Sequence, residues 1–155
     1  MKLFVDADAC PVTRDAVTIA RRHRAAVVLV ANESQSLDRY ADRDGVEIVK
    51  VKGGPDAADY AMVPLLKPGD IVVTQDTGLA SMALARGAKA IGPRGKVFMT
   101  ATIGFELDVR HAEQQHRRAG GRTSGPAPFT PEDRERFREA LERLFEESRR
   151  EAQGR

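Results

Sequence analysis

The sequence has little of what several classes of protein require. It contains one cysteine, no tryptophan and 5% aromatic residues in a chain of 155. A single cysteine excludes an internal disulfide framework, and no apolar run is long enough to cross a membrane. The first predicted strand begins at residue 2 with no apolar signal region before it, so we expect a cytoplasmic protein with no membrane contact. With so few aromatic side chains, any contact with nucleic acid should be made chiefly through phosphates.

The lone cysteine and the three histidines lack the spacing of known reactive sites. The Cys-x5-Arg loop of thiol phosphatases would need arginine at position 16, where this chain has Ala16. Cys10 is therefore expected to be a small buried residue beneath the first turn. The histidines show no zinc-binding spacing. Thiol-phosphatase and zinc chemistry are both disfavoured.

The length and the order of the apolar segments predict one α/β domain. At 155 residues, roughly 68–70% of the unfolded chain's surface can be buried. Five short apolar segments are nearly uninterrupted and rich in β-branched residues, as in strands covered on both faces. They are residues 3–5, 26–31, 46–51, 71–74 and 88–91. Helical stretches separate them at residues 12–23, 56–66 and 78–86, with a short one near 37–43. This alternation predicts a three-layer domain with a mostly parallel central sheet of about five strands.

The pattern changes after residue 91, where we expect the sheet to end. A glycine-rich turn at 92–96 and a short apolar piece at 97–99 precede a predicted helix over 102–118. We assign residues 1–118 to the α/β domain, whose last helix would bind nucleic acid. Residues 119–155 are assigned to a loop and a C-terminal amphipathic helix packed on the same domain, which Thr130 would cap and Pro131 would begin.

Acidic side chains follow two of the predicted strands at the point where each ends. Asp6 and Asp8 follow the first strand and Asp76 follows the fourth, while Asp56 and Asp59 lie in the helix after the third. Because parallel strands end at one edge of a sheet, these acids are expected to share a cleft. Charges about 4 Å apart repel by roughly 4 kcal/mol at an effective dielectric near 20, so such a cluster needs a cation, a proton or solvent. Asp56 alone is explained equally well by the helix dipole.

The chemistry of these acids favours a particular cation. Oxygen ligands without a histidine or cysteine cluster favour Mg²⁺ or Mn²⁺ over zinc. Replacing Asp76 with Asn is expected to raise the metal-free melting temperature by relieving repulsion among the carboxylates. The sequence therefore predicts a divalent-metal site at this edge of the sheet.

Two basic segments are candidates for binding phosphate. The first is the turn 92–96, where Arg94 and Lys96 flank Gly95. The second runs from residue 110 to 122 and contains one acid against four arginines, which are Arg110, Arg117, Arg118 and Arg122. Both segments are open to two interpretations, because such charges bind nucleic-acid phosphates in some proteins and are only solvated in others.

Five segments carry a resemblance to a known family: residues 5–12, 54–59, 74–80, 92–95 and 117–122. In this order, and over nearly the whole chain, they resemble the bacterial YaiI/YqxD family, which is itself similar to PIN-like domains. PIN-like nucleases hold divalent metal with acids after the first strand, in a helix midway and after the fourth strand. The resemblance implies a PIN-like fold with Asp6, Asp59 and Asp76 as catalytic metal ligands and Asp8 and Asp56 as accessory ligands.

The function that we predict is metal-dependent hydrolysis of phosphodiester bonds, with RNA preferred to DNA by family analogy alone. Mg²⁺ or Mn²⁺ would activate the attacking water, and the arginines would bind flanking phosphates. Two alternatives stay open. Asp6-x-Asp8 imitates the nucleophile and acid of haloacid-dehalogenase-type phosphatases, although Cys10 stands where Thr or Val is expected and the chain has no room for a cap domain. The other alternative is a non-catalytic RNA-binding module.

Overall fold

The computed structural model describes residues 1–8, 10–32, 36–54, 56–122, 125 and 127–154. Its strands are β1 Lys2–Asp6, β2 Ala26–Asn32, β3 Val46–Val51, β4 Ile71–Val73, β5 Lys89–Ile91 and β6 Val97–Phe98. Its α-helices are α1 Thr13–Arg22, α2 Ala57–Met62, α3 Thr77–Ala85, α4 Thr100–Arg118 and α5 Pro131–Gln153. Residues 123, 124 and 126 of the predicted loop lie outside the described residues.

The predicted strands and helices are present with small changes in their bounds. The predicted helix over 56–66 is divided, because α2 passes at residue 63 into the 3-10 turn Val63–Leu65, which contains Pro64. Proline cannot donate the backbone hydrogen bond of a helix interior, so it favours this change. A second 3-10 turn, Asp38–Tyr40, stands where a short helix was expected. No helix of the described residues is long and apolar enough to span a membrane.

All of these strands form one sheet in the order β3-β2-β1-β4-β5-β6. The first five are parallel, and β6 runs antiparallel to β5, with Ala90 opposite Phe98 and Ile91 opposite Val97. The mostly parallel sheet of about five strands is therefore confirmed, whereas the expectation that it ends at residue 91 is wrong, because β6 extends it by one strand. The turn reverses the chain because the Gly92 N–H donates to the Lys96 carbonyl at 2.8 Å. A two-residue strand is too short to show a period in the sequence.

Apolar side chains cover both faces of the sheet, which confirms the predicted three-layer α/β architecture. Leu3 and Val5 of β1 point to the face covered by α1 and α5, where Phe137 is completely buried. Phe4 points to the opposite face and packs in a second cluster with residues of α2 and α3, including Met62. This alternation follows from the two-residue period of a strand. Burial on both faces explains why the strand segments are almost wholly apolar.

Helix α5 is tied to the domain at its first turn. The Thr130 hydroxyl accepts from the Asp133 N–H at 3.1 Å, and the Asp133 carboxylate accepts from the Thr130 N–H at 3.0 Å. This capping box satisfies two amides that the helix itself leaves unpaired, and Pro131 occupies the first helical position. Asp133 is 5% exposed. The buried cap fixes where α5 begins and therefore how its apolar stripe docks on α1.

Gly95 allows the turn before β6 to approach α5. Its φ angle is +93°, and a Cβ at this position would lie 2.7 Å from the Arg136 carbonyl carbon. We expect Gly95→Ala to lower the free energy of unfolding by about 3 kcal/mol, because it adds backbone strain to a steric clash. Denaturant unfolding measures the loss.

Gly45 offers a matched control for this substitution. Its φ angle is +79°, but a Cβ there would meet nothing within 4 Å. Gly45→Ala should therefore cost only the strain, about 1 kcal/mol. Equal losses in the two variants would contradict the close approach of Gly95 to α5.

Candidate functional site

The centre of the sheet contains a topological switch point. Strands β1 and β4 are neighbours, yet the chain proceeds from β1 outward to β2 and β3 and from β4 outward to β5 in the other direction. Connections on opposite sides of two adjacent strands leave a crevice at their carboxyl ends, where ligands of open α/β sheets bind. Asp6 is the last residue of β1, and Thr74 and Asp76 follow β4. The crevice is therefore lined with acids.

A cavity of about 390 Å³ lies at this point and collects four of the five predicted metal ligands, Asp6, Asp8, Asp59 and Asp76. We call it the acid cavity. Gly53 and Gly54 line its other side, so backbone rather than bulky side chains forms that wall. The fifth predicted ligand, Asp56, lines the neighbouring cavity that is described below.

Thr74 connects the two strand-end acids, and the sequence analysis did not identify it. Its hydroxyl donates to Asp6 Oδ2 at 3.0 Å and accepts from the Asp76 N–H at 3.0 Å. The Thr74 side chain is buried, at 2% exposure for the residue, so this arrangement is shielded from water. A polar residue at the end of an apolar strand, two positions before an acid, is the sequence feature that would have pointed to it.

The pKa of Asp6 is raised above its usual value. Burial is the largest cause, the hydrogen bond from Thr74 opposes it, and the charges of Asp8 and Asp76 raise it further. Asp8 is held in place separately, because its Oδ1 accepts from the Asn32 N–H at 2.9 Å. The ionised form of Asp6 is thus costly in the absence of a cation.

The negative charge of Asp76 is stabilised by more hydrogen-bond donors than those of the other acids in the cavity. Its Oδ1 caps α3 by accepting from the Gly78 N–H at 2.8 Å and the Leu79 N–H at 3.4 Å. The same oxygen accepts from Arg110 Nη1 of α4 at 2.8 Å. Removing its charge would therefore remove favourable contacts as well as repulsion, so the expected rise in melting temperature for Asp76→Asn no longer follows. The acid whose removal should relieve repulsion is Asp59.

Asp59 of α2 has the most strongly displaced titration in the cavity. Burial, followed by the charges of Asp76, Asp56 and Asp6, raises its pKa to about 6, while Arg110 acts in the opposite direction. Because this pKa exceeds the usual 3.8, the folded protein binds more protons than the unfolded chain between about pH 4 and 6. The contribution of Asp59 to stability therefore falls as the pH rises through this window.

Replacing Asp59 with Asn should stabilise the metal-free protein at neutral pH. We expect a gain of roughly 1 kcal/mol at pH 7.5, allowing for screening by solvent, and no gain near pH 4. Denaturant unfolding at the two pH values measures it. Asp44 lies in the exposed turn before β3, at the amino ends of the strands, whereas the acids lie at the carboxyl ends. Asp44→Asn is therefore the control and should show no such dependence. A gain for Asp59→Asn that is equal at both pH values would refute the explanation.

The donors in the acid cavity suit a hard cation, although they do not form a closed metal site as they stand. Among the residues that the structure describes, no three His, Cys, Asp or Glu side chains are close enough together to hold a metal ion. Mg²⁺ keeps several waters and often takes only one or two carboxylates directly, so wide spacing suits it. Burial is the main cause that raises the pKa of Asp6 and Asp59, and a cation would offset both its cost and the repulsion from neighbouring carboxylates that adds to it. The metal site stays a prediction.

Arg94 and Lys96 lie outside the acid cavity and have partners within the protein. The Arg94 guanidinium pairs with the buried Asp133 at 2.9 Å and donates to the Pro128 carbonyl at 3.3 Å. Lys96 forms an ion pair with Glu106 of α4. Both contacts join the turn before β6 to the helices around it. Phosphate binding by these two residues stays a prediction. In the structure both side chains form ion pairs within the protein.

Of the four arginines in the second basic segment, Arg110 is the one that lines the acidic crevice. Helix α4 packs along α3 and has no fully buried residue of its own, so most of it faces solvent. Arg117 follows Arg110 by seven residues, which places it on the same face about 10 Å further along the helix axis. Arg118 ends α4, and Arg122 follows it in the loop; both are exposed.

Comparisons with known proteins agree with the family resemblance of the five sequence segments. The family model described as "Uncharacterized BCR, YaiI/YqxD family" matches residues 4–147. The chain belongs to the YaiI/YqxD family. Its relatives include proteins of Brucella ovis and Brucella suis that carry the name UPF0178 protein. Each is 46% identical to this chain over 140 residues, which cover 90% of this chain and 86% of the relative. No solved structure matches, so the likeness to PIN-like domains stays a prediction.

This YaiI/YqxD protein has a second cavity that the sequence analysis did not anticipate. It has a volume of about 420 Å³ and shares Asp59 and Asp76 with the acid cavity. Its remaining lining is contributed by α2, α3, α4 and the turn that follows α2, and consists of Asp56, Tyr60, Val63, Pro64, Gly78, Met82 and Arg110.

Proposed function

We propose that this protein is a PIN-like, metal-dependent nuclease that hydrolyses phosphodiester bonds, with RNA as the expected substrate. Mg²⁺ or Mn²⁺ would be held by Asp6, Asp59 and Asp76, partly through water, with Asp8 as an accessory ligand. Asp56 lines the neighbouring cavity instead. One observation carries the proposal: four carboxylates from three segments of the chain line one cavity at the switch point of the sheet. A folded protein tolerates such repulsion where a bound cation or proton offsets it.

The surrounding residues suit this chemistry. Thr74 fixes the orientation of Asp6, and the first amides of α3 fix that of Asp76, so both carboxylates are held before a substrate arrives. When bound, a divalent cation would activate water and offset the charge that develops on the phosphoryl group. In the reaction, the water oxygen bonds to phosphorus, the ester bond to the leaving oxygen breaks, and that oxygen takes up a proton.

Arg110 is suited to receive a phosphate of the substrate. Its side chain is 42% exposed although its Nη1 is paired with Asp76. A guanidinium has five N–H donors, so it can bind a phosphate oxygen while it keeps one contact to a carboxylate. This would place a substrate phosphate beside the acid cavity rather than elsewhere on α4.

A non-catalytic RNA-binding module is a second candidate, and the Arg110–Asp76 pair favours it. That pair already occupies the Oδ1 atom of one predicted metal ligand at 2.8 Å. A protein of this kind would use the acids only for bridging a cation to phosphates. No contact in the described residues specifically favours the haloacid-dehalogenase-type phosphatase.

Incubation of the purified protein with end-labelled single-stranded RNA tests the proposal. In Mg²⁺ or Mn²⁺ we expect cleavage that EDTA abolishes, with no phosphate released from small monoesters and no phosphorylated Asp6. Trapping of an acyl phosphate on Asp6 would favour the phosphatase and overturn the proposal. Binding without cleavage in every metal would favour the RNA-binding module.

A further inference from the structure

We propose that the second cavity, which we call the base cavity, binds the nucleobase of a nucleotide adjoining the phosphate at the acid cavity, so that the substrate is single-stranded or unpaired there. This inference rests on the proposed function, because it takes the acid cavity to be the phosphate site. The two cavities share Asp59 and Asp76. The two cavities are therefore adjacent.

The wall of the base cavity has the surface of a binding site rather than of ordinary solvated protein. Tyr60 is 79% exposed and Met82 is 37% exposed, and both line this cavity beside Val63 and Pro64. Leaving large apolar side chains in water is unfavourable, and clusters of them indicate a surface that binds something. A volume of about 420 Å³ lies within the range of small-molecule sites.

Tyr60 differs sharply from the other tyrosine of the chain. Tyr40 is buried at 3% exposure, whereas the ring of Tyr60 faces solvent next to Asp56 and Asp59. An exposed aromatic ring is the platform on which single-stranded nucleic acids stack their bases. The low aromatic content predicts few such platforms, and the structure places one of them beside the acidic crevice.

The charges around the cavity select among planar ligands. Arg110 at its border attracts a phosphate, and the exposed Asp56 carboxylate accepts N–H donors such as those of an adenine or cytosine amino group. A ligand with a flat apolar ring, N–H donors and an attached phosphate would match the apolar side chains, the Asp56 carboxylate and the Arg110 guanidinium of this lining. A nucleobase of a nucleic-acid strand has these features, and it is accessible only when it is not paired in a duplex.

Equilibrium binding without divalent metal tests this inference independently of cleavage. The probes are a short oligoadenylate and an abasic strand of the same length, whose phosphates are identical. The wild-type protein should prefer the oligoadenylate, and Tyr60→Ala should reduce this preference about 10-fold by removing the stacking platform. Tyr60→Ala should leave the affinity for the abasic strand unchanged.

Two further variants are matched controls. Tyr60→Phe keeps the ring and should retain the preference. Leu65→Ala removes another apolar side chain of the same region, 52% exposed and outside the lining of the cavity, and should also retain it. A preference that is equal in the wild type and in Tyr60→Ala overturns the base site.

The two proposals fail in distinguishable ways. If Tyr60→Ala loses the preference while no RNA is cleaved in any metal, the base site stands and the hydrolase proposal fails. If RNA is cleaved and Tyr60→Ala changes neither affinity nor preference, the hydrolase proposal stands and the base site is wrong.

Discussion

Replacing Asp6 with Asn should lower the rate of RNA cleavage by at least about 100-fold while RNA affinity changes little. Metal ligands contribute several kcal/mol of transition-state stabilisation, and each 1.36 kcal/mol corresponds to about a factor of ten in rate. The fold should persist, because the amide oxygen of Asn can still accept from the Thr74 hydroxyl that bonds Asp6 Oδ2 at 3.0 Å. Binding should persist because phosphate contacts are assigned to arginines rather than to this acid.

The measurement compares single-turnover cleavage with affinity in the same buffer. Asp44→Asn removes one acid at the opposite edge of the sheet and should leave both quantities unchanged. Mn²⁺ should raise the melting temperature of the wild type, because a ligand that binds only the folded state stabilises it, and this rise should be smaller in Asp6→Asn. Cleavage by Asp6→Asn at the wild-type rate would exclude a catalytic role for this carboxylate.

RNA affinity should fall steeply with salt. If Arg110, Arg117, Arg118 and Arg122 all contact phosphates of a single strand, log K should fall with log salt with a slope of about −2.8. This corresponds to a loss of about 50-fold in affinity between about 50 and 200 mM salt. Arg110 lies in the acidic crevice, and α4 places Arg117 and Arg118 further along the same helix, where a strand leaving the crevice would pass.

The double variant Arg117→Ala, Arg118→Ala should flatten this slope by about 1.4. The control is the double variant Arg21→Ala, Arg150→Ala, which removes the same two positive charges at positions outside α4. Arg21 lies in the last turn of α1, just before β2 begins, and Arg150 precedes Glu151, which pairs with Lys89 at the start of β5. Both positions are at the edge of the sheet opposite the acids, so this control should keep the full slope. A slope that is unchanged in the α4 variant would show that these arginines do not contact the phosphates of RNA.

The strand segments were predictable because parallel strands buried on both faces require nearly continuous apolar residues. The five predicted segments coincide with β1 to β5 to within one or two residues. Strand β6 was missed because Val97 and Phe98 pair with β5 only after the chain reverses at Gly92–Lys96, and two residues show no periodicity. Helix α5 was predictable from local chemistry, since its cap involves residues only three positions apart.

The sequence by itself determined the α/β class of this protein, its family and the position of its acids at strand ends, because each depends on short segments of chain. Only the tertiary structure decided which side chains meet across long separations. Thr74 bonds to Asp6 and Arg110 to Asp76, 68 and 34 residues apart, and Tyr60 and Met82 line one cavity. These contacts depend on how helices from different parts of the chain pack on the sheet. No local pattern records that packing, because its free energy comes from surfaces that meet only in the folded protein.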